Sequence, residues 1–529
     1  MIARKKRLVL AKDALLENLR EDVADLCPVT DRRFLKLVEE VFTPFISLVS
    51  SQDDARFDVL MGDFRFVVFL CQHLHMRELN QSCSSRGIEL ILDASQKKIM
   101  NPAWDGIGSE FSDWLIDRSR AQQWLSVIRS NVLTFGSPRG IGNLVSGKLQ
   151  WALGLGQGER LRTDYSLRRS VKAVQYEPWL YLKRPTLSEC SVKNWKSDFV
   201  EPYLDLLSSD LTRTLGEQGR RQLASAWAKR LSEVESIYRT FVDARKRFSL
   251  LLVNGGTNPF RKIMMLAYQR SGVETILFHH GHDFGGRIQK YGHLGEVSHA
   301  RRFICPTEWI ANNYQRAYQR EIVEQRTGTV YESVGSNYFN EIYEKSKLTR
   351  KEELQSRAPL MLIGRPINDR RLLDASGGFL VYKIALEVKL IQLLQRSGHE
   401  VIYKAHPESA VYAEALFGSQ CKVSTTRLEE IYNEAGCLIF TTATSTAFGF
   451  AMATTVPILL IEHKDNLWQE HVKRKILTRC AIIEYAEPDG AVVTPSLEFL
   501  HDSIEEAKHK ASDSDFLSQL TEKRRLDPQ

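Results

Sequence analysis

The chain has 529 residues, 43% hydrophobic and 26% charged, and 72 Lys+Arg against 65 Asp+Glu leave a formal net charge of +7. That length suits two or three domains, and the composition is ordinary for a soluble globular protein. The mild basic excess fits anionic small molecules or an anionic membrane surface and gives no argument for nucleic acid.

No uninterrupted apolar run approaches the roughly 18–20 residues of a membrane helix. At the N-terminus, Lys12 and Asp13 cut the apolar segment short, so no signal peptide is expected. The eight cysteines contain no Cys-x-x-Cys pair. A reduced, cytoplasmic protein without structural zinc is the simplest expectation, with peripheral contact at the inner membrane allowed by its basic face.

Residues 1 to about 56 read as helical, with Leu15, Leu16, Leu19 and Val23, then Phe34, Leu37, Val38 and Val41 at helical spacing. Phe57 to Phe69 reads as strand-prone, Cys71 to Ser84 as a helix, and Ile88 to Asp93 as a strand. His73 and His75 fall on different faces of that helix, which is poor geometry for one metal. From 94 to about 247 we expect a helical insertion, with Trp104, Trp114 and Trp124 as packing anchors. Between 158 and 184, residues such as Arg160, Arg168, Lys172, Trp179 and Arg184 form either a solvated basic face or a patch for an anionic acceptor or lipid headgroups.

From Phe248 the periodicity changes. Strand runs at 248–254, 273–278 and 302–305 alternate with helical patterns, and Thr307 is placed to cap a helix over 308–319. A charged linker at 345–357 marks a boundary, giving domains 1–345 and 346–529. The second domain begins with Leu360-Met361-Leu362-Ile363. It continues with a helix at about 378–397, strand 400–404, helix 410–417, strand 421–425, helix 427–435, strand 437–441, helix 446–453 and a strand at 458–461. Helices at 466–475 and 495–510 follow, and the polar tail from Ser512 is expected to fray. Such β-loop-α alternation is the signature of parallel sheets, so the fold class is α/β with two Rossmann-like domains.

Ligands of open parallel sheets bind outside the carboxyl ends of the strands. Two such ends carry polar loops: Lys404-Ala405-His406-Pro407, and Thr441-Thr442-Ala443-Thr444-Ser445-Thr446. His406 either donates a ring N–H to a phosphate, stabilising a leaving group, or caps a turn. The second loop has five hydroxyls in six residues just before a helix, more than one cap requires. We read Thr444, Ser445 and Thr446 as phosphate ligands. Arg365 is a candidate phosphate clamp, and Glu462 a candidate acceptor for ribose hydroxyls.

His279-His280-Gly281-His282-Asp283 is the densest cluster of titratable groups. Adjacent strand residues point to opposite faces, and no Cys or Glu at ligand spacing joins them. A general base taking a proton from an acceptor hydroxyl is the better reading than a metal site. Gly255-Gly256-Thr257-Asn258 matches neither the dinucleotide nor the P-loop pattern.

With these motifs in view, residues 248–490 resemble bacterial surface-polysaccharide transferases of the GT-B fold, of capsule and teichoic-acid type. Lys404-Ala405-His406-Pro407 looks like that family's His-Pro motif, Thr444-Ser445-Thr446 like its Ser-Ser/Thr motif, and His280-Gly281-His282-Asp283-Phe284-Gly285 like its His-Gly segment. The resemblance implies two Rossmann-like domains facing a cleft, with helical additions in the N-terminal half. It also implies a CMP-sugar or CDP-glycerol donor, no cofactor, a glycan or glycolipid acceptor, and metal-independent inverting transfer. The base is then His280, His282 or Asp283. An acidic pair followed by glycine, found in some sialyltransferases of this type, is absent.

Overall fold

A computed structural model describes residues 7–10, 29–101, 150–155, 160–169, 171–175, 195–243, 249–254, 259–279, 284–286, 291–349, 358–366, 378–464, 467–485, 495–511 and 514–521. In chain order its strands are β1 (Arg7–Val9), β2 (Glu89–Ile91), β3 (Gln150–Leu155), β4 (Val171–Gln175), β5 (Leu250–Asn254), β6 (Glu274–Phe278) and β7 (Arg302–Cys305). They continue as β8 (Val330–Ser333), β9 (Leu360–Ile363), β10 (Val401–Lys404), β11 (Lys422–Ser424), β12 (Cys437–Phe440), β13 (Ile458–His463) and β14 (Ala481–Tyr485).

Two six-stranded sheets result, in the orders β4-β3-β5-β6-β7-β8 and β11-β10-β9-β12-β13-β14. Every neighbouring pair in both is parallel. The expected α/β class with two Rossmann-like sheets is therefore what the chain adopts. β5, β9, β12 and β13 are buried at every position, as parallel strands covered on both faces must be.

Side-chain alternation divides the second sheet between two cores. Leu360, Leu362, Ile439 and Leu459 face one apolar cluster, with Ile384, Leu390 and Ile391 of the helix Gly378–Arg396. Met361, Ile363, Leu438 and Leu460 face the other, which also holds Leu251, Leu277 and Phe303 of the first sheet. The two halves thus share a continuous apolar core, each fully buried aliphatic side chain contributing about 1.5–3 kcal/mol. Among the described residues, no helix is long and apolar enough to cross a membrane.

Several local expectations are corrected. Phe57 to Phe69 is not a strand. It lies in the helices Asp54–Gly62 and Phe64–Ser85, the first capped by Asp53, whose side chain accepts from Arg56 N. A continuous apolar run does not distinguish a buried helix from a buried strand; both faces of Phe64–Ser85 are buried over much of its length. Arg7–Val9, expected to be helical, is a strand paired with β2.

Residues 94–247 do hold long helices, Trp195–Leu206 and Ser209–Asp243. They also supply β3 and β4 to one edge of the first sheet. The tail does not fray directly after 512. Ser514–Thr521 is a helix whose Phe516, Leu517 and Leu520 are buried, with Phe516 ring-packed against Phe284 and Trp309 of the other half. His73 and His75 are buried, and His73 Nδ1 lies 2.8 Å from the Ile99 carbonyl. Trp104, Trp114, Trp124, Trp179 and Arg184 lie outside the described residues.

Candidate functional site

The chain runs β9, β10, β11 toward one edge of the second sheet, then returns to β12, β13, β14 on the other side of β9. The direction of winding reverses between β9 and β12. Outside the carboxyl ends of that strand pair is the crevice where open α/β sheets hold ligands. Register fixes what meets there. Ile363 pairs with Lys404 on one side and with Phe440 on the other, so Arg365, His406 and the hydroxyl loop from Thr441 leave one sheet edge on three adjacent strands.

Arg365 ties these loops together. Its Nε–H donates to Thr441 Oγ1 at 2.9 Å, and its carbonyl accepts from Ser409 Oγ at 2.9 Å. Thr441 in turn donates to Glu387 Oε1 at 3.2 Å, which also accepts from the Arg365 backbone N–H at 3.3 Å. Tyr403 Oη donates to Glu387 Oε2 at 2.8 Å. Glu387 comes from the helix Gly378–Arg396 and is buried. Burial pushes its carboxyl up to about 7, against the opposing pull of Arg365 and its hydrogen bonds.

The sequence reading missed Glu387, Tyr403 and Thr441 as a set. The signal was present: Glu387 is a carboxylate between Leu386 and Val388 on a helix otherwise apolar at its buried positions.

His406 takes the capping role weighed for it. Its Nδ1 accepts from Glu408 N at 3.2 Å, capping the 3-10 turn Pro407–Ser409. With Nδ1 accepting, the proton of the neutral ring is on Nε2, which makes that atom a donor. Pro407 is exposed at the first position of the turn, where its fixed φ suits a helical start. Lys404 is buried and its Nζ donates to the Ala405 carbonyl. Desolvation lowers its pKa, only partly offset by Glu429.

In the hydroxyl loop, Ser445 Oγ accepts from Phe448 N at 3.1 Å and caps the helix Thr446–Met452. Thr442 and Thr444 hydroxyls are 2.9 Å apart, and Thr442 Oγ1 accepts from Thr444 N at 3.2 Å. Thr446 is exposed at the helix start. Glu462, the candidate acceptor for ribose hydroxyls, is the next-to-last residue of its strand. It lies within β13, is buried, and accepts from Trp468 Nε1 at 2.9 Å.

His280, His282 and Asp283 lie outside the described residues, but their flanks are placed. His279 is buried beside Phe303 and Tyr314. Phe284 has φ 59° and Gly285 φ 71°, two successive left-handed residues, of which the bulky Phe is the unusual one. Gln469, beyond β13, reaches across: its Nε2 donates to Gly285 O at 2.6 Å and Asn313 O at 2.9 Å, and its backbone N to Gly286 O at 2.7 Å. Asn313 Nδ2 donates to Phe284 O at 3.1 Å, and its Oδ1 is 3.1 Å from His471 Nε2. The glycine segment of the first half is thus fastened to the second half.

No family model and no curated protein sequence matches the chain. Its fold is similar to a UDP-GlcNAc 2-epimerase from Methanocaldococcus jannaschii, in complex with UDP-GlcNAc and UDP, at 12% identity over 68% of this chain and 92% of that one, TM-score 0.37. A UDP-N-acetylglucosamine 2-epimerase from Rickettsia bellii aligns at 9% identity over 70% and 93%, TM-score 0.38. The glycosyltransferase SnogD from Streptomyces nogalater aligns at 12% over 71% and 95%, TM-score 0.30.

Proposed function

We propose that the chain is a nucleotide-sugar-dependent enzyme of GT-B type that transfers a sugar, or a polyol phosphate, to a cell-surface glycan or flagellar acceptor. One observation carries this reading. At the reversal point of the second sheet, a guanidinium, an imidazole with its donor at Nε2, and a hydroxyl-rich loop leave three adjacent parallel strands at one edge. Guanidinium and ring N–H groups are complementary to phosphate oxygens.

In this reading Arg365, His406 and the 444–446 hydroxyls hold the donor phosphate, with Lys404 and Pro407 shaping the loop. One of His280, His282 or Asp283 takes the acceptor's proton. With a CMP-sugar the acceptor oxygen then attacks the anomeric carbon as its bond to the phosphate oxygen breaks. With CDP-glycerol it attacks the glycerol-bearing phosphorus as the P–O bond to CMP breaks. In both the departing CMP's charge is stabilised by donors already in place. The donor is a CMP-sugar or CDP-glycerol, by the resemblance of the loops, and no cofactor or metal enters. The enzyme works in the cytoplasm, with its acceptor at the inner membrane.

Calorimetric titration with CMP, CDP and UDP tests the site. Binding by wild type should weaken about 10–100-fold in Arg365→Ala and in His406→Ala, the loss of one charge-assisted hydrogen-bonding group each. No binding of any of the three by wild type sinks the reading. Interconversion of free nucleotide sugars without acceptor would instead make the protein an epimerase, and release of free sugar a hydrolase. Binding without turnover would leave a non-catalytic member of a polysaccharide assembly.

A further inference from the structure

The buried carboxylate behind Arg365 carries a further assignment, which rests on the donor-site reading above. We propose that Glu387 is the positioning residue of this anion site. Through Thr441 it fixes the Arg365 guanidinium, and its own charge state tunes how strongly that guanidinium attracts an anion.

The hydrogen bonds have one direction. Thr441 has a single hydroxyl proton and gives it to Glu387 Oε1 at 3.2 Å. Its oxygen is thereby left to accept from Arg365 Nε at 2.9 Å. Glu387 also accepts from the Arg365 backbone and from Tyr403 Oη. A helix and the ends of three strands therefore converge on one carboxylate. A second observation shows that the chain makes room for this. A Cβ on Gly364, the residue before Arg365, would lie 2.2 Å from Tyr403 Oη. Only glycine there lets the Tyr403 hydroxyl reach Glu387.

The groups that face Glu387 are Arg365 after β9, Tyr403 on β10 and Thr441 after β12. Burial, and then Glu387 itself, hold Tyr403 far above its ordinary range, so it stays neutral. Arginine side chains carry their charge throughout this pH range. Among these, Glu387 alone changes charge near neutrality, burial having moved its carboxyl to about 7. An anion bound at Arg365 opposes ionisation of Glu387. By linkage, binding must then take up protons, and affinity must fall as pH rises through 7.

The test is calorimetry with inorganic pyrophosphate, and separately with CDP and UDP, at about pH 6 and pH 8.5, on wild type and E387Q. Running each titration in two buffers of different ionisation enthalpy counts the protons exchanged. Gln keeps the shape of the site and can donate to Tyr403 Oη. Wild type should lose about fivefold or more affinity beyond what E387Q loses over this range, and should take up more protons. The difference between the two proteins removes the probe's own ionisation.

Thr441→Val breaks the chain to Arg365. It should weaken pyrophosphate binding and abolish the excess pH dependence, and it decides the matter alone if E387Q does not fold. Identical pH profiles and proton uptake in wild type and variants overturn the assignment, as does a wild type that binds no pyrophosphate. Pyrophosphate binding with the expected pH signature, but none of CDP or UDP, removes only the nucleotide-donor reading.

Discussion

The two sheets prepare their carboxyl edges in different ways. In the second, the edge is set by side chains: Arg365, Thr441, Tyr403 and Glu387 form one hydrogen-bonded unit from a helix and three strand ends. In the first, the described part of the loop after β6 is set by backbone. Phe284 and Gly285 turn left-handed, and their carbonyls are held by Asn313 and Gln469. A side-chain network keeps its geometry within one domain. A backbone clamp made across the two halves ties its geometry to their relative placement. Under the proposed function, the second edge is the one that would hold the donor's anion, and the first the one that would present a base when the halves are together.

The largest expected effect breaks the backbone clamp. Gly285→Ala would place a Cβ 2.9 Å from the Tyr314 ring and 3.0 Å from Tyr314 N, at a φ of +71°. We expect a loss of about 2–4 kcal/mol in denaturant unfolding, from overpacking and the left-handed backbone together. A loss below about 0.5 kcal/mol would mean the clamp is loose.

The side-chain unit has its own signature in pH. Because Glu387 rises from 4.5 to about 7 in the folded state, its contribution is fully present below the ordinary carboxylate range. It declines as pH rises toward 7 and is lost above it. Wild type should lose up to about 3 kcal/mol between roughly pH 4.5 and 7 that E387Q does not lose. Parallel curves from urea titrations across that window would show that the carboxylate is not held as described.

Gln469→Ala sharpens the comparison further. It removes donors to two carbonyls of the first half while leaving the Arg365 network untouched. We expect about 1–3 kcal/mol of lost stability with pyrophosphate affinity at Arg365 retained; loss of both would show that the edges are not independent. Trp468→Phe should cost least, about 1 kcal/mol, by removing the indole donor to buried Glu462. Thermal unfolding that is unchanged in this variant would refute a structural role for that pair.

Most strands of the second sheet, and β5, β6 and β7 of the first, were legible because buried parallel strands are short, continuously apolar and bounded by polar loops, whereas β3 and β4 lay in the stretch read as a helical insertion and β8 was not read as a strand. Leu360–Ile363 and Cys437–Phe440, four residues each, are too short for a buried helix and read as strands. The same rule failed at Phe57–Phe69, where the apolar run fell in two successive helices buried over much of their surface. Thr307 was readable as a cap because capping is local, with the bonded amide three residues away, and Ser445, read as a phosphate ligand, caps its helix in the same way. The burial of Glu462 was not legible, for the opposite reason. Its burial depends on Trp468 and on β14, which follows later in the chain.

By itself the sequence determined the α/β class, most of the second-half elements and the polar loops at strand ends, because periodicity and turn chemistry act over a few residues. Only the tertiary structure decided that β9 and β12 are neighbours at the winding reversal, which brings Arg365 to Thr441 across 76 positions. It alone decided that Glu387 lies beneath them and that Gln469 grips Gly285 from the other half. Those pairings depend on strand order and on which buried polar groups must find partners, and both are settled by the packing of distant segments.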